Sequence, residues 1–433
     1  METGIALFFA LIVIYTIMGY ALGRVSITMP MFFVVSGAIV GAFGLRWISF
    51  GLETSEVEVL TEVTLALLLF ADAASLKFDE VRDDAKMPSR LLFIAFPLIL
   101  FMGTLFGYLL FPAEEIGFAL LLGVILAPTD AALGLPIFNN ARVPVRIRRA
   151  LNVESGLNDG LATPLVTLFI ALTLDQLGAP SQQIWLLSAT SEIAIAVGVG
   201  IALGFAGGWL FALAVRKNWT SNVARQIGNP ALALLVFFTA KELGGNGFVS
   251  VFVAGILFAF ISRNLLHQAI EFTEITGTFL SLFIWTIFGS AIAIPLLENF
   301  NFLALLYAIL SLTVVRMVPV AIALIGTHLR RDTVILMGWL GPRGLASVVF
   351  LIMAYEAAHE AHVETNLLVA TVGWTILLSV LLHGVSALPL ANWYARRLEG
   401  ASPEIPEMAE VTDSKTLRRR PFHAGLLDQI KTD

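Results

Sequence analysis

The chain has 433 residues, of which 58% are hydrophobic and 13% charged, and its formal net charge is −6. This composition leaves too little polar surface for a soluble domain of that length, so we expect a lipid bilayer to be its solvent. Basic residues form no stripe outside the loops and the tail, which argues against a nucleic-acid partner. The absence of cysteine excludes disulfides, thiolate metal sites and cysteine nucleophiles.

Apolar segments long enough to cross about 30 Å of hydrocarbon recur along the chain. They predict thirteen transmembrane helices, or twelve if the short second segment does not span or if the glycines near 244–247 only kink a helix. The segments are residues 4–23, 29–45, 57–76, 90–111, 116–134, 147–174, 185–214, 224–243, 246–261, 274–296, 301–326, 332–356 and 364–393. We therefore predict an all-α, polytopic membrane domain over residues 1–395, followed by a short tail, residues 396–433, with little fold of its own.

The loops between these segments alternate in charge. Lys and Arg concentrate in the loops of one side and in the tail, while the other side holds acidic residues such as Glu114, Glu115 and Glu360. Because cytoplasmic loops carry an excess of Lys and Arg, we expect the N-terminus outside and the C-terminus in the cytoplasm. The expected location is the cell (inner) membrane.

The third and fifth segments each carry an aspartate, Asp72 and Asp130. An ionised side chain at mid-bilayer costs at least about 2.5 to 3.5 kcal/mol, so such groups usually face a cavity or a partner and mark an ion pathway. Asp130 ends the run 127–130, in which Pro128 removes an amide donor and disfavours helix at the preceding residue. We predict a helix break there, of the kind whose freed carbonyl groups coordinate cations in transporters.

The sixth segment contains four polar residues at helical spacing: Glu154, Ser155, Asn158 and Asp159. Residues four apart share a helix face, so a hydroxyl lies beside one carboxylate while Glu154 and Asn158 share the adjacent face. Oxygen donors at this spacing suit a small hard cation such as Na⁺. Hydrogen-bonded helix contacts, structural ion pairs or misjudged helix ends are the alternatives.

The eleventh and twelfth segments supply two buried basic residues, Arg316 and Arg343. The second of these lies in Gly341-Pro342-Arg343-Gly344, which predicts another helix break. Paired broken helices in corresponding halves indicate a site near the midplane between inverted repeats. We therefore expect two inverted six-helix repeats whose broken helices cross, with one further helix completing thirteen.

In these residues the chain resembles the monovalent cation/proton antiporters of the sodium/proton exchanger type, and within them the electroneutral branch. The resemblance extends from residue 1 to about residue 395 and implies the sodium/proton antiporter fold. The residues that carry it are Thr129-Asp130 in the fifth segment, Glu154-Ser155 and Asn158-Asp159 in the sixth, Arg316 in the eleventh and the run 341–344 in the twelfth.

The resemblance implies a role for each of these residues. Asp159 would carry the exchanged cation or proton, with Ser155, Asp130 and the Thr129 carbonyl completing the cation shell. Asp72 occupies the acidic position of the third helix, which is often glutamate in relatives.

The remaining implied roles are structural. Glu154 would pair with Arg316 and steady Asn158, and Arg343 belongs to the same supporting group. A homodimer embedded in membrane lipid is also implied.

Exchange follows from competition between a proton and a cation for one buried carboxylate, since burial favours its neutral form and a bound cation its ionised form. With the neutral Asn158 beside Asp159, one Na⁺ would exchange for one H⁺. We expect no cofactor and no catalytic residue, only the transported Na⁺ and H⁺. The alternatives are an intramembrane aspartyl enzyme using Asp130 and Asp159, although its glycine-flanked motifs are missing, and a cation channel whose flux is not coupled to protons.

Overall fold

The structure, a computed structural model, describes residues 2–41, 54–76, 85–138, 140–177, 185–262, 266–400 and 405–409. Every regular element in these ranges is helical. The helices are α1 (Glu2–Arg24), α2 (Met29–Val40), α3 (Ser55–Ala74), α4 (Lys86–Leu110), α5a (Ile116–Ile125), α5b (Leu135–Phe138), α6 (Val145–Gln176), α7 (Trp185–Arg216), α8 (Asn222–Glu242), α9 (Gly247–Ser262), α10 (His267–Glu298), α11 (Phe302–Ala323), α12a (Arg331–Trp339), α12b (Leu345–Glu360) and α13 (Asn366–Leu398).

Many of these helices have the length and composition of membrane spans. Within the described residues, eight are long and apolar enough to cross a bilayer, namely α1, α4, α6, α7, α8, α10, α11 and α13. Helices α2, α5a and α9 are shorter apolar helices of 10–17 residues. The prediction of an all-helical membrane domain is confirmed, while the count of thirteen spans stays a prediction; residues 42–45 of the second predicted segment lie outside the described residues.

Several helix boundaries differ from the predicted ones. A turn through Gly244, whose φ is +76°, separates α8 from α9, so the glycines end one helix rather than kink it. Helix α10 starts at His267 rather than at 274, and Glu360, expected in a loop, lies in the last turn of α12b. Helix α13 runs through the predicted domain boundary at 395 to Leu398. Each helix extends past its apolar stretch because polar residues continue a helix at the membrane edge.

The helices form two groups. In the first group α7 packs on α9, α9 and α10 pack on α3, α10 also packs on α2, and α8 packs on α9 and α10. In the second group α4 packs on α5a, α5a on α6, and α11 on both α12a and α13. At the boundary between the groups, α2, α3 and α10 face the gap between α5a and α5b together with α6 and α12b.

Small residues allow helices α2 and α10 of the first group to approach closely. A Cβ atom added at Gly37 of α2 would collide with the carbonyl of Thr286 in α10. One added at Gly289 of α10 would collide with the carbonyl of Val34 in α2. Such small-residue contacts let backbones approach in membrane helix pairs, where hydrophobic burial against lipid supplies little driving force.

Both predicted helix breaks are present. Helix α5a ends at Ile125 and the chain resumes a 3₁₀ turn only at Ala131. Helix α12a ends at Trp339 and α12b begins at Leu345. The prolines at 128 and 342 account for the two interruptions, because each lacks an amide hydrogen and forces its preceding residue away from helical geometry.

Part of the tail docks on the bundle. The Glu407 side chain is buried, and its Oε1 accepts hydrogen bonds from the Arg330 amide (2.7 Å) and the Thr333 hydroxyl (2.8 Å). The Arg146 guanidinium donates to the carbonyl of Pro406 at 2.6 Å. Residues 405–409 thus have defined contacts where the sequence predicted little fold, because Glu407 satisfies donors at the start of α12a.

Candidate functional site

The two helix breaks meet at Asp130. Its amide donates to the carbonyl of Pro342 at 2.8 Å, which joins the two broken helices directly. Its carboxylate accepts the amide of Leu345 at Oδ2 (3.1 Å) and the amide of Ala132 at Oδ1 (2.7 Å). The negative charge therefore lies at the N-terminal end of α12b, where the helix dipole favours it.

A positive charge compensates the opposite helix end. The fully buried Arg343 donates from Nη1 to the carbonyls of Ala127 (2.8 Å) and Pro128 (3.3 Å). The Ser347 hydroxyl donates to the Ile125 carbonyl at 2.7 Å. The Ile125 carbonyl ends α5a and the other two follow it in the break, so the guanidinium lies close to the C-terminal end of that helix, where the helix dipole favours positive charge.

Helix α6 bonds to the first break through two of the predicted residues. The Ser155 hydroxyl donates to the carbonyl of Thr129 at 2.6 Å, and the Asn158 amide donates to the Thr129 hydroxyl at 2.7 Å. Ser155 and Asn158 are buried, while Asp159 is partly exposed. The long uninterrupted helix α6 therefore presents a hydroxyl and a carboxylate next to the irregular backbone of α5.

A cavity of about 80 Å³ lies between the two helix groups at this point. Asp72, Asp130, Ser155 and Asp159 all line it, whereas Thr129 does not and instead bonds the lining residue Ser155. The volume exceeds the roughly 10 to 15 Å³ that one water needs, so the cavity can hold a small cation with part of its hydration shell. Among the described residues no three acidic or histidine side chains form a fixed metal centre, so the carboxylates surround the space without a preformed ligand set.

The predicted supporting pair is also brought together. Arg316 of α11 meets Glu154 of α6 through two parallel contacts, Nη1 to Oε1 and Nη2 to Oε2, the latter at 2.9 Å. Both side chains are buried. A two-pronged arrangement of this kind fixes the angle between the helices as well as their distance.

Further polar residues line the cavity that the sequence analysis did not single out. Asn152 lies on α6, and Glu274, Thr278 and Ser281 lie on α10. The three α10 residues follow the spacing i, i+4, i+7, which places them on one helix face. The sequence shows this polar stripe on an otherwise apolar helix. The predicted helix started at 274, so Glu274 was placed at the helix end rather than on the face that lines the cavity.

The comparisons with known proteins agree with this architecture. Residues 8–393 match the family model described as sodium/hydrogen exchanger, transmembrane. A K(+)/H(+) antiporter NhaP of Alkalimonas amylolytica is 26% identical over 302 residues, which cover 68% of this chain and 50% of that protein. A probable Na(+)/H(+) antiporter 2 of Methanocaldococcus jannaschii is 28% identical over 316 residues, covering 65% of this chain and 72% of that one. The chain thus spans about half the length of the first of these relatives.

The fold is similar to that of solved structures. The sodium proton antiporter MjNhaP1 of Methanocaldococcus jannaschii, at pH 8, superposes with a TM-score of 0.72 at 20% sequence identity. The match covers 88% of this chain and 99% of that one. On the extent of the family match, this chain belongs to the transmembrane sodium/hydrogen exchanger family.

Proposed function

We propose that this protein exchanges Na⁺, or a similar monovalent cation, for H⁺ across a membrane. The observation that carries the proposal is the cavity at the crossed helix breaks, where Asp130, Ser155 and Asp159 face one small space. Relatives named as Na(+)/H(+) and K(+)/H(+) antiporters support the reaction and leave both cations as candidates.

The geometry suggests how each group acts. The Asp130 carboxylate is held by two backbone amides and serves as a fixed negative charge. The Ser155 oxygen and the Thr129 carbonyl oxygen lie 2.6 Å apart, so turning the hydroxyl hydrogen away would offer both oxygens to one cation. Asp159 then binds either the cation or a proton.

Three further parts of the proposal rest on the sequence. Asn158 is an amide that cannot release a proton near neutral pH, which favours one-for-one exchange. The loop charges favour an N-terminus outside and a C-terminus in the cytoplasm of the cell membrane. The family resemblance favours a homodimer.

Proton flux in proteoliposomes tests the reaction. A pH-sensitive dye inside the vesicles should report alkalinisation or acidification when Na⁺, K⁺ or Li⁺ is added outside, in amounts that rank the three cations. Asp159→Asn should fold and abolish this signal. Asp175→Asn, the same change at an exposed position of the same helix, should leave it intact. Retained exchange in Asp159→Asn would remove that residue from the site.

A clamped membrane potential tests the stoichiometry. A potential of 100 mV is worth about 2.3 kcal/mol per elementary charge moved, so any net charge transfer should displace the equilibrium cation gradient visibly. For one-for-one exchange the gradient set by a fixed pH difference should not change with the potential. A voltage-dependent equilibrium would mean that a second acid, Asp130 or Asp72, also carries a proton.

The same vesicles separate the alternative functions. A channel would pass cations without moving protons. An aspartyl enzyme would cleave a model transmembrane peptide and lose that cleavage in Asp159→Ala.

A further inference from the structure

A buried histidine of α13 lies at the second helix break. His383 is 1% exposed, and its Nε2 is 2.8 Å from the carbonyl oxygen of Trp339, the last residue of α12a. Its ring also stacks on that of Trp339, with centroids 4.8 Å apart. The other ring nitrogen, Nδ1, faces the carbonyl oxygen of Ser379 at 3.0 Å. A carbonyl can only accept, and we assign the ring hydrogen to Nε2, whose carbonyl is the nearer, so that Nε2 donates to the C-terminal end of α12a.

One turn earlier on α13, Ser379 bonds to the other side of the same break. Its hydroxyl oxygen accepts the Arg343 amide at 2.7 Å. The same hydroxyl lies 3.4 Å from His383 Nδ1, and the Ser379 carbonyl oxygen lies 3.0 Å from that nitrogen. The bonds run from the Arg343 amide through Ser379 and His383 to the Trp339 carbonyl. Helix α13 thereby ties together the two ends of the gap between α12a and α12b.

The same pattern occurs at the first break. Ser155 and Asp159 on α6 have the spacing of Ser379 and His383 on α13, and each serine bonds backbone of the break in the broken helix before it. The second copy differs in charge, because a histidine occupies the position of the aspartate. Arg343 directly follows Pro342 and bonds Ser379, as Thr129 directly follows Pro128 and bonds Ser155.

We propose that His383 is a positioning residue for the cation site, a role that rests on the proposed function. The gap that His383 and Ser379 hold ends at Leu345, whose amide binds the Asp130 carboxylate. Without the His383 bond the Trp339 carbonyl would keep only the Gly341 amide, a donor from within the break (2.8 Å). The break would then lose the bond that ties this carbonyl to α13, and the gap could relax. Asp130 would then lose its fixed place in the cavity.

The test compares variants for apparent cation KM, maximal rate and melting temperature. His383→Ala should raise the KM about tenfold or more, the effect typical of losing an outer-shell partner of an ion site. His383→Gln should recover most of the affinity, because its amide can donate to the Trp339 carbonyl. Ser379→Ala removes the bond to the Arg343 amide at the other side of the break and should raise the KM as well. This variant replaces His383→Ala in the test if His383→Ala does not fold.

Ser386→Ala is the matched control. Ser386 lies on the same helix and accepts a hydrogen bond from the Trp339 indole N–H at 2.9 Å. The variant therefore also loses a bond to Trp339, but the bond to the Trp339 backbone carbonyl stays in place. Its KM should stay within about twofold of the wild-type value. An unchanged KM in His383→Ala, or equal KM and stability losses in the Ala and Gln variants, would overturn the positioning role.

A wild-type protein without cation-dependent proton flux would instead contradict the proposed function. The positioning role is then judged by the rise in melting temperature on adding Na⁺ or K⁺. That rise should be smaller in His383→Ala than in Ser386→Ala. Equal rises would overturn it.

Discussion

Removing one member of the Glu154–Arg316 pair should destabilise the protein more than removing both. The side chains are 3% and 1% exposed, so water cannot solvate a charge that loses its partner. Glu154→Met leaves a buried guanidinium and Arg316→Met a buried carboxylate. The double variant leaves neither charge and fills the space with two flexible apolar side chains.

The expected magnitudes follow from that difference. Breaking a buried pair by losing one partner costs about 3 to 5 kcal/mol, whereas replacing the whole pair by apolar groups of similar volume is often neutral. The two single changes would thus sum to about 6 to 10 kcal/mol if they acted independently. Because the double variant strands no charge, its loss should be smaller than that of either single variant.

Melting temperatures of the four proteins in one detergent measure this coupling. We expect both single variants to melt well below the wild-type protein and the double variant to recover most of the difference. Additive losses would show that the pair carries no coupling energy and that Arg316 is stabilised by other groups. Asp175→Asn, at an exposed position near the other end of α6, supplies the baseline for a charge change on that helix away from the pair.

Three further outcomes are expected. Gly344→Ala should weaken cation binding strongly, because a Cβ atom there collides with the Asp130 carboxylate. In the control Gly198→Ala the added Cβ atom meets no atom within 4 Å, so exchange should be unchanged. Equal KM values for the two variants would contradict this prediction. Lys241→Ala breaks the pair with Glu62, whose members are 43% and 15% exposed, and should cost less than about 1 kcal/mol in thermal unfolding. Lowering the pH should raise the apparent KM for the cation, since proton and cation compete for one carboxylate, and a KM independent of pH in flux assays would exclude that competition.

The sequence predicted the parts of the site that depend on local chemistry. The breaks follow from the covalent properties of Pro128 and Pro342. The alignment of Ser155 with Asp159 follows from helix geometry alone. Those constraints act within a few residues and do not depend on the rest of the fold.

The contacts between distant segments could not be predicted in the same way. The bond from the Leu345 amide to Asp130 requires the exact crossing of two helices, and the cavity position of Glu274 requires α10 to start before its apolar stretch. The burial of Glu407 depends on where the tail returns to the bundle. Hydropathy reports only which residues prefer lipid, so it cannot place polar residues that pack against each other.

The crossing of the broken helices also has a consequence for how the protein is made. The bonds from Ser155 and Asn158 to Thr129 join residues 26 and 29 positions apart, so they can form soon after α6 is synthesised. The bond from Leu345 to Asp130 spans 215 positions, which the ribosome needs roughly 10 to 40 s to add at about 5 to 20 residues per second. During that interval the first half of the molecule must hold an aspartate in the membrane region without its later partner. Until α12b is inserted the Asp130 carboxylate has the Ala132 amide but not the Leu345 amide, so the site is completed late in synthesis.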